Sequence, residues 1–252
     1  MIADGVHDEG GSGTPIVLLH GLMGRSRTWR RQVPWLRELG HVHTVDAAGH
    51  GRPAPHPLST EAFVDDLTEQ LRGVTEPMVL VGHSMGGLHA WMFAARHPAR
   101  VRAIVVEDMA PDFRGRSAHD WAETIRSWPA FADDRAVLAH FGDVAGQYFL
   151  DALDRTPEGF RLHGDVETFR DISQEWGTRD FWQQWAATTA PALVIEGEYS
   201  ITPQGQMRRM ATARPGVRYE RVEGAAHLVH DEQPERYREL VEPFVRAHVD
   251  AP

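Results

Sequence analysis

The 252-residue sequence predicts an α/β fold, a mostly parallel sheet covered by helices on both faces and interrupted by an inserted helical segment. Short apolar runs of strand length alternate with amphipathic stretches of helical period. The segment Gly82-His83-Ser84-Met85-Gly86-Gly87 directly follows the apolar run 78–81, as a tight strand-to-helix turn would. Composition also changes over residues 111–185, which hold five of the eight tryptophans and seven of the ten phenylalanines.

Residues 1–14 are polar and glycine-rich and read as a loop or a vestigial edge hairpin. The first strand is expected at 16–19. A stretch from about 28 to 39 brings Trp29, Val33, Leu36 and Leu39 to one side of a helix, and 42–45 gives a second strand. The alternation continues with a helix over 60–71, a strand at 78–82, a helix after Ser84 to about 97 and a strand at 103–106. It resumes with a strand at 192–195, a helix opened by Thr202-Pro203, a strand near 217–222 and a final helix near 234–248. Short strands separated by helices imply parallel pairing with both faces buried. The division expected is a core of residues 1–110 and 186–252 with a helical cap of residues 111–185, whose aromatics either pack the cap or line an apolar cleft beneath it. Trp121, Trp128 and Trp182 are the candidates for that cleft.

A hydrophobic fraction of 42% suffices for a full-sized core. The formal charge of −10 argues against a nucleic-acid partner or an anionic membrane, since both require clustered Lys and Arg. With no cysteine there is no disulfide, thiolate nucleophile or cysteine-ligated metal. No run approaches membrane-spanning length and the N-terminus has no basic-then-apolar signal, so the cytoplasm is the expected compartment; oligomeric state is left open.

Glycines flanking a serine after a strand leave room for a sharp reversal that exposes the hydroxyl, which makes Ser84 the candidate nucleophile. A neutral serine needs a base, and the base needs an acid to fix its tautomer. His227 is the candidate base, because it sits in the small-residue loop Gly224-Ala225-Ala226-His227 after the strand at 217–222. An oxyanion requires two backbone N–H donors; Met85, just past the nucleophile, and Leu22, in the loop His20-Gly21-Leu22-Met23-Gly24, are assigned to it. His20, Gly21 and His83 flank these positions and are candidates for substrate contact.

These motifs, together with Asp46-Ala47-Ala48-Gly49-His50-Gly51-Arg52, give the chain a clear resemblance to α/β-hydrolases of the small, cofactor-free esterase type. The resemblance implies structural roles for Asp46, His50 and Arg52. Many members carry the catalytic acid in a Gly-x-x-Asp stretch, but here Gly197-Glu198-Tyr199-Ser200 places a serine at that position. A minority carries it after the strand that follows the elbow helix, and the segment Asp108-Met109-Ala110-Pro111 is similar to the YbfF-like and ABHD-type esterases in that respect. Asp108 is therefore the assigned acid, with Glu107 and Glu198 as competitors. The same resemblance implies that Ser200 supports the Asp108–His227 hydrogen bond or fills the vacated site. Glu107 and Asp108, being successive strand residues, should face opposite ways.

The activity expected is hydrolysis of a fairly apolar small-molecule ester, thioester or lactone through an acyl-enzyme on Ser84, with no cofactor and no metal. A cofactor-free perhydrolase, a carbon–carbon bond hydrolase and a non-enzymatic small-molecule receptor on the same scaffold are the alternatives.

Overall fold

The computed structural model describes residues 3–116 and 119–250. Its sheet has seven strands: β1 (Val6–Gly10), β2 (Pro15–Leu19), β3 (His41–Val45), β4 (Met78–His83), β5 (Val101–Glu107), β8 (Ala192–Gly197) and β9 (Val217–Val222). They lie in the order β1-β3-β2-β4-β5-β8-β9, and all pairings are parallel except that of β1 with β3.

Alternation along the central strands divides two apolar layers. Val17, Leu19, Leu80, Ile104, Val106 and Val194 face one side, where α2 (Thr60–Gln70), α3 (Met85–Arg96) and α8 (Trp182–Ala187) cover them with Phe63, Leu67, Leu88, Trp91 and Trp185. Ile16, Leu18, Val79, Val81, Val105 and Leu193 face the other side, beneath α1 (Val33–Leu36) and α11 (Pro234–Arg246). Each such aliphatic side chain contributes roughly 1.5–3 kcal/mol on burial, so the two layers fix the strand register that presents the loops.

Between β5 and β8 the chain forms α4 (His119–Arg126), α5 (Asp134–Phe141), α6 (Asp143–Ala152), α7 (Val166–Trp176) and then α8. The sequence shows no sheet-quality run there, yet β6 (Asp154–Thr156) and β7 (Gly159–Arg161) form a small antiparallel hairpin between α6 and α7. The helices α9 (Gln206–Ala213) and α10 (Val229–Glu232) complete the fold.

Three local expectations are corrected. The vestigial hairpin at the N-terminus is a regular edge strand, paired in register with β3 from Val6↔Val45 to Asp8↔His43. The helix expected over 28–39 is a 3-10 turn, Ser26–Trp29, followed by one turn of α-helix at Val33–Leu36. Pro34 sits in the first turn of that helix, where its missing N–H is harmless, and cannot continue a helix running in from Trp29. The helix expected to open at Thr202-Pro203 starts at Gln206, because Gly205 adopts a left-handed conformation (φ 77°) just before it.

The first turn of α3 lies close against β2 and β4. A Cβ placed on Gly86 would lie 2.1 Å from the Leu19 carbonyl oxygen, and one on Gly82 2.3 Å from the Gly86 carbonyl oxygen. Gly86→Ala is expected to lower unfolding free energy by about 3 kcal/mol or more, because the clash is with backbone and no side chain can move aside. Urea denaturation checks this; a loss under about 1 kcal/mol would show that α3 can retreat from β2.

Candidate active site

Ser84 occupies the turn between β4 and α3 with φ 50° and ψ −121°, a conformation rare for any residue with a Cβ. Its N–H donates to the Glu107 carbonyl oxygen at 2.8 Å, which staples the turn to the end of β5 and holds the strain in place. Met85 opens α3, so its N–H has no partner within the helix.

Asp108 follows β5, is fully buried, and also has positive φ (47°). Its N–H donates to the Ile195 carbonyl oxygen at 2.8 Å. Its carboxylate Oδ1 accepts from the Gly197 N–H at 3.0 Å, and Oδ2 lies 2.7 Å from His227 Nδ1. With Nδ1 donating to a carboxylate, the neutral His227 ring carries its lone pair on Nε2. Ser84 and His227 both line one cavity of about 600 Å³.

Glu107 meets a different histidine. Its Oε1 accepts from both His230 N (3.0 Å) and His230 Nδ1 (2.8 Å), and the pair is buried. Burial opposes charge on His230, but the adjoining Glu107 carboxylate prevails and raises its pKa. Glu198 accepts from Gly224 N at 2.9 Å and lies near Arg221. Of the three candidate acids, Asp108 is thus the one that meets His227.

The loop of residues 20–24 is framed by uncharged histidines. His20 donates from Nδ1 to the Gly21 carbonyl oxygen (2.8 Å) and accepts the Ala47 N–H at Nε2 (3.1 Å). His50 accepts the Met23 N–H at Nε2 (3.2 Å) while its Nδ1 faces the Ala48 carbonyl oxygen (3.2 Å). Burial pushes the pKa of both rings down, His50 well below the ordinary value, so both are neutral acceptors. Met23 has φ 64°, and its N–H is committed to His50. Asp46 holds Ser26 N at 2.6 Å and His7 Nε2 at 2.8 Å, and Arg52 pairs with Asp66 at 2.8 Å, which gives this segment the structural role the resemblance implied.

The substrate-contact candidates divide. His83, Trp121 and Trp128 line the cavity with Leu22, Phe149 and Trp176. His83 donates from Nε2 to the His227 carbonyl oxygen at 2.9 Å; burial, with His227 and His230 beside it, keeps its ring uncharged. His20 and Gly21 do not line the cavity: one is spent on loop hydrogen bonds, and a Cβ on the other would lie 2.6 Å from His83 Nδ1. Trp182 faces away, with the Arg209 guanidinium 4.3 Å from its ring centre. Ser200 does not reach the acid either, because its hydroxyl is taken by Thr202 Oγ1 (2.8 Å) and Thr202 N (2.9 Å). The support expected from Ser200 comes from the Gly197 N–H, which sequence reasoning missed because backbone donors have no side-chain signature. His230 was missed too, although its position three residues after His227 and the buried Glu107 were both readable signals.

A family model described as "Alpha/beta hydrolase family" matches residues 16–240. A pimeloyl-[acyl-carrier protein] methyl ester esterase of Legionella pneumophila (strain Paris) is 25% identical over 251 residues, covering 95% of this chain and 98% of the relative. The structure of an E-2-(acetamidomethylene)succinate hydrolase superposes with TM-score 0.81 at 23% identity, covering 95% and 94% of the two chains. An enol-lactonase of Burkholderia xenovorans LB400 superposes with TM-score 0.76 at 25% identity, covering 95% of each.

Because the folded-state pKa of His230 lies above its unfolded value of 6.5, the charged pair with Glu107 stabilises the fold fully below about pH 6.5, and that contribution fades as pH rises through the raised value. The stability advantage of the wild type over Glu107→Gln/His230→Asn, read from urea midpoints, should therefore shrink as pH rises above about 6.5. A growing advantage would mean that His230 is neutral in the fold.

Proposed function

The chain belongs to the alpha/beta hydrolase family, and from that membership we propose that it is a serine hydrolase cleaving a fairly apolar carboxylic ester, thioester or lactone through an acyl-enzyme on Ser84. The observation that carries this reading is the 2.7 Å contact of His227 Nδ1 with buried Asp108 on the wall of the cavity that Ser84 lines. Ester hydrolysis is also the activity in the name of the Legionella relative.

In this reading His227 Nε2 takes the Ser84 proton as Oγ attacks the acyl carbon. Asp108 holds the ring in that tautomer and stabilises the imidazolium, while Gly197 N–H keeps the carboxylate oriented. The oxyanion sits between the N–H groups of Leu22 and Met85. Commitment of the Met23 N–H to His50 leaves Leu22 as the donor of its loop, and the positive end of α3 favours negative charge beside Met85. His227 then protonates the leaving group and activates the water that frees the enzyme.

Whereas Trp182 and Trp185 of α8 pack on the sheet, so that the expected boundary at 185 falls inside a core helix, residues 111–176 act as the cap. They contribute Phe113, Trp121, Ile125, Trp128 and Trp176 to the cavity, whereas the sheet side contributes Ser84 and His227. A volume of about 600 Å³ lined mostly by aromatic and aliphatic groups suits a small acyl chain or ring.

Mass spectrometry after fluorophosphonate treatment should show one adduct on the intact protein and none on Ser84→Ala; an adduct on both would remove Ser84 from the chemistry. Asp108→Asn should leave the denaturation midpoint nearly unchanged and lower kcat for a p-nitrophenyl ester by about 10⁴, the size seen for a serine protease. Trp128→Ala should raise KM for an apolar p-nitrophenyl ester, and Trp182→Ala should leave it unchanged.

A further inference from the structure

We propose that Asp8, His41 and His43 form a binding site for a divalent cation of the zinc type on the outer edge of the sheet. His41 and His43 are two apart on β3, so strand alternation puts both rings on one face, where their centres are 4.4 Å apart. Asp8 of β1 lies directly across from His43 in the antiparallel register, and its Oδ1 is 2.8 Å from His41 Nε2. One ligand atom from each residue lies within 4.8 Å of the others.

Hydrogen bonding joins Asp8 to His41 at 2.8 Å but leaves a buried nitrogen of His43 unused. His43 is only 6% exposed, and its Nδ1 is buried with no hydrogen-bond partner among the described residues. The Gly10 N–H donates to Asp8 Oδ1 at 2.9 Å and fixes the carboxylate at the edge of the sheet. Two imidazoles and a carboxylate suit zinc, which prefers contacts near 2.0–2.2 Å, and they leave a fourth position for water. Asp8 and His41 are the members with exposed side-chain surface, at 41% and 35%.

His41 opens β3, whereas Ser84 and Asp108 follow the far ends of strands parallel to it. The site is therefore placed to clamp the edge strand β1 to the sheet and not to join the cavity chemistry.

The test uses full-length protein without a histidine tag, freed of metal by chelation and titrated with zinc chloride in a calorimeter at neutral pH. One equivalent should bind, with affinity lowered about tenfold or more in Asp8→Asn and in His43→Asn. Zinc should raise the melting temperature of the wild type but not of Asp8→Asn, which alters an exposed group and keeps the fold. Absence of saturable binding, or equal affinity in both variants, overturns the proposal. Loss of fluorophosphonate labelling after chelation, restored by zinc, overturns the structural placement of the metal.

Discussion

Everything at the open end of the sheet depends on how closely the first turn of α3 lies against the last residue of β2. Gly86 sits where its α-carbon hydrogens alone clear the Leu19 carbonyl oxygen, so the helix cannot be displaced outward by a side chain. With it go the positive φ of Ser84 and the close approach of Gly21 to His83. A serine, a helix terminus and a neighbouring loop are thus gathered by one steric condition, and the backbone strain at Ser84 is held by the bond from its N–H to Glu107.

The end of β5 solves a second problem by alternation. Consecutive carboxylates, Glu107 and Asp108, point to opposite sides, and each finds an imidazole from the same descending segment, His230 and His227. The first pair is sealed in the interior and anchors α10; the second borders the cavity, where the His227 side chain keeps 25% of its surface exposed. Both histidine carriers are fixed before any ligand arrives, since His83 also grips the His227 carbonyl oxygen. Preorganisation of this kind is what a proton-transferring group requires, because a ring free to rotate would spend part of its time in unproductive orientations.

Most of the sheet was legible in the sequence because its strands are buried on both faces and read as unbroken apolar runs. The serine turn was legible because its flanking glycines are demanded by local sterics, whereas Asp108 was singled out by the family resemblance and not by any local pattern. What escaped has physical reasons. The strand β1, Val-His-Asp-Glu-Gly, is polar because it is an edge, so it carries no apolar run. The period from 28 to 39 is genuine, for Trp29, Val33 and Leu36 are all buried, yet they reach the core from two separate turns. Ser200 occupies the position that the family pattern singles out, but the adjacent Thr202 captures its hydroxyl, a local competition that a motif does not encode. The tryptophans could be assigned to the inserted segment and not to a direction, and Trp182 turned toward Arg209.

The number of uncharged imidazoles enclosed by the fold sets limits on the conditions it tolerates. His20, His50, His83 and His89 all have their proton affinities lowered, chiefly by burial, His89 to about 3. An unfolded chain would take up a proton at each of these positions below about pH 6.5, whereas the native interior refuses them. Acidification therefore draws the molecule toward unfolding through proton uptake at these four sites, while His230 contributes the opposite sensitivity on the alkaline side. Buried histidines thus draw stability down from the acid side and His230 from the alkaline side.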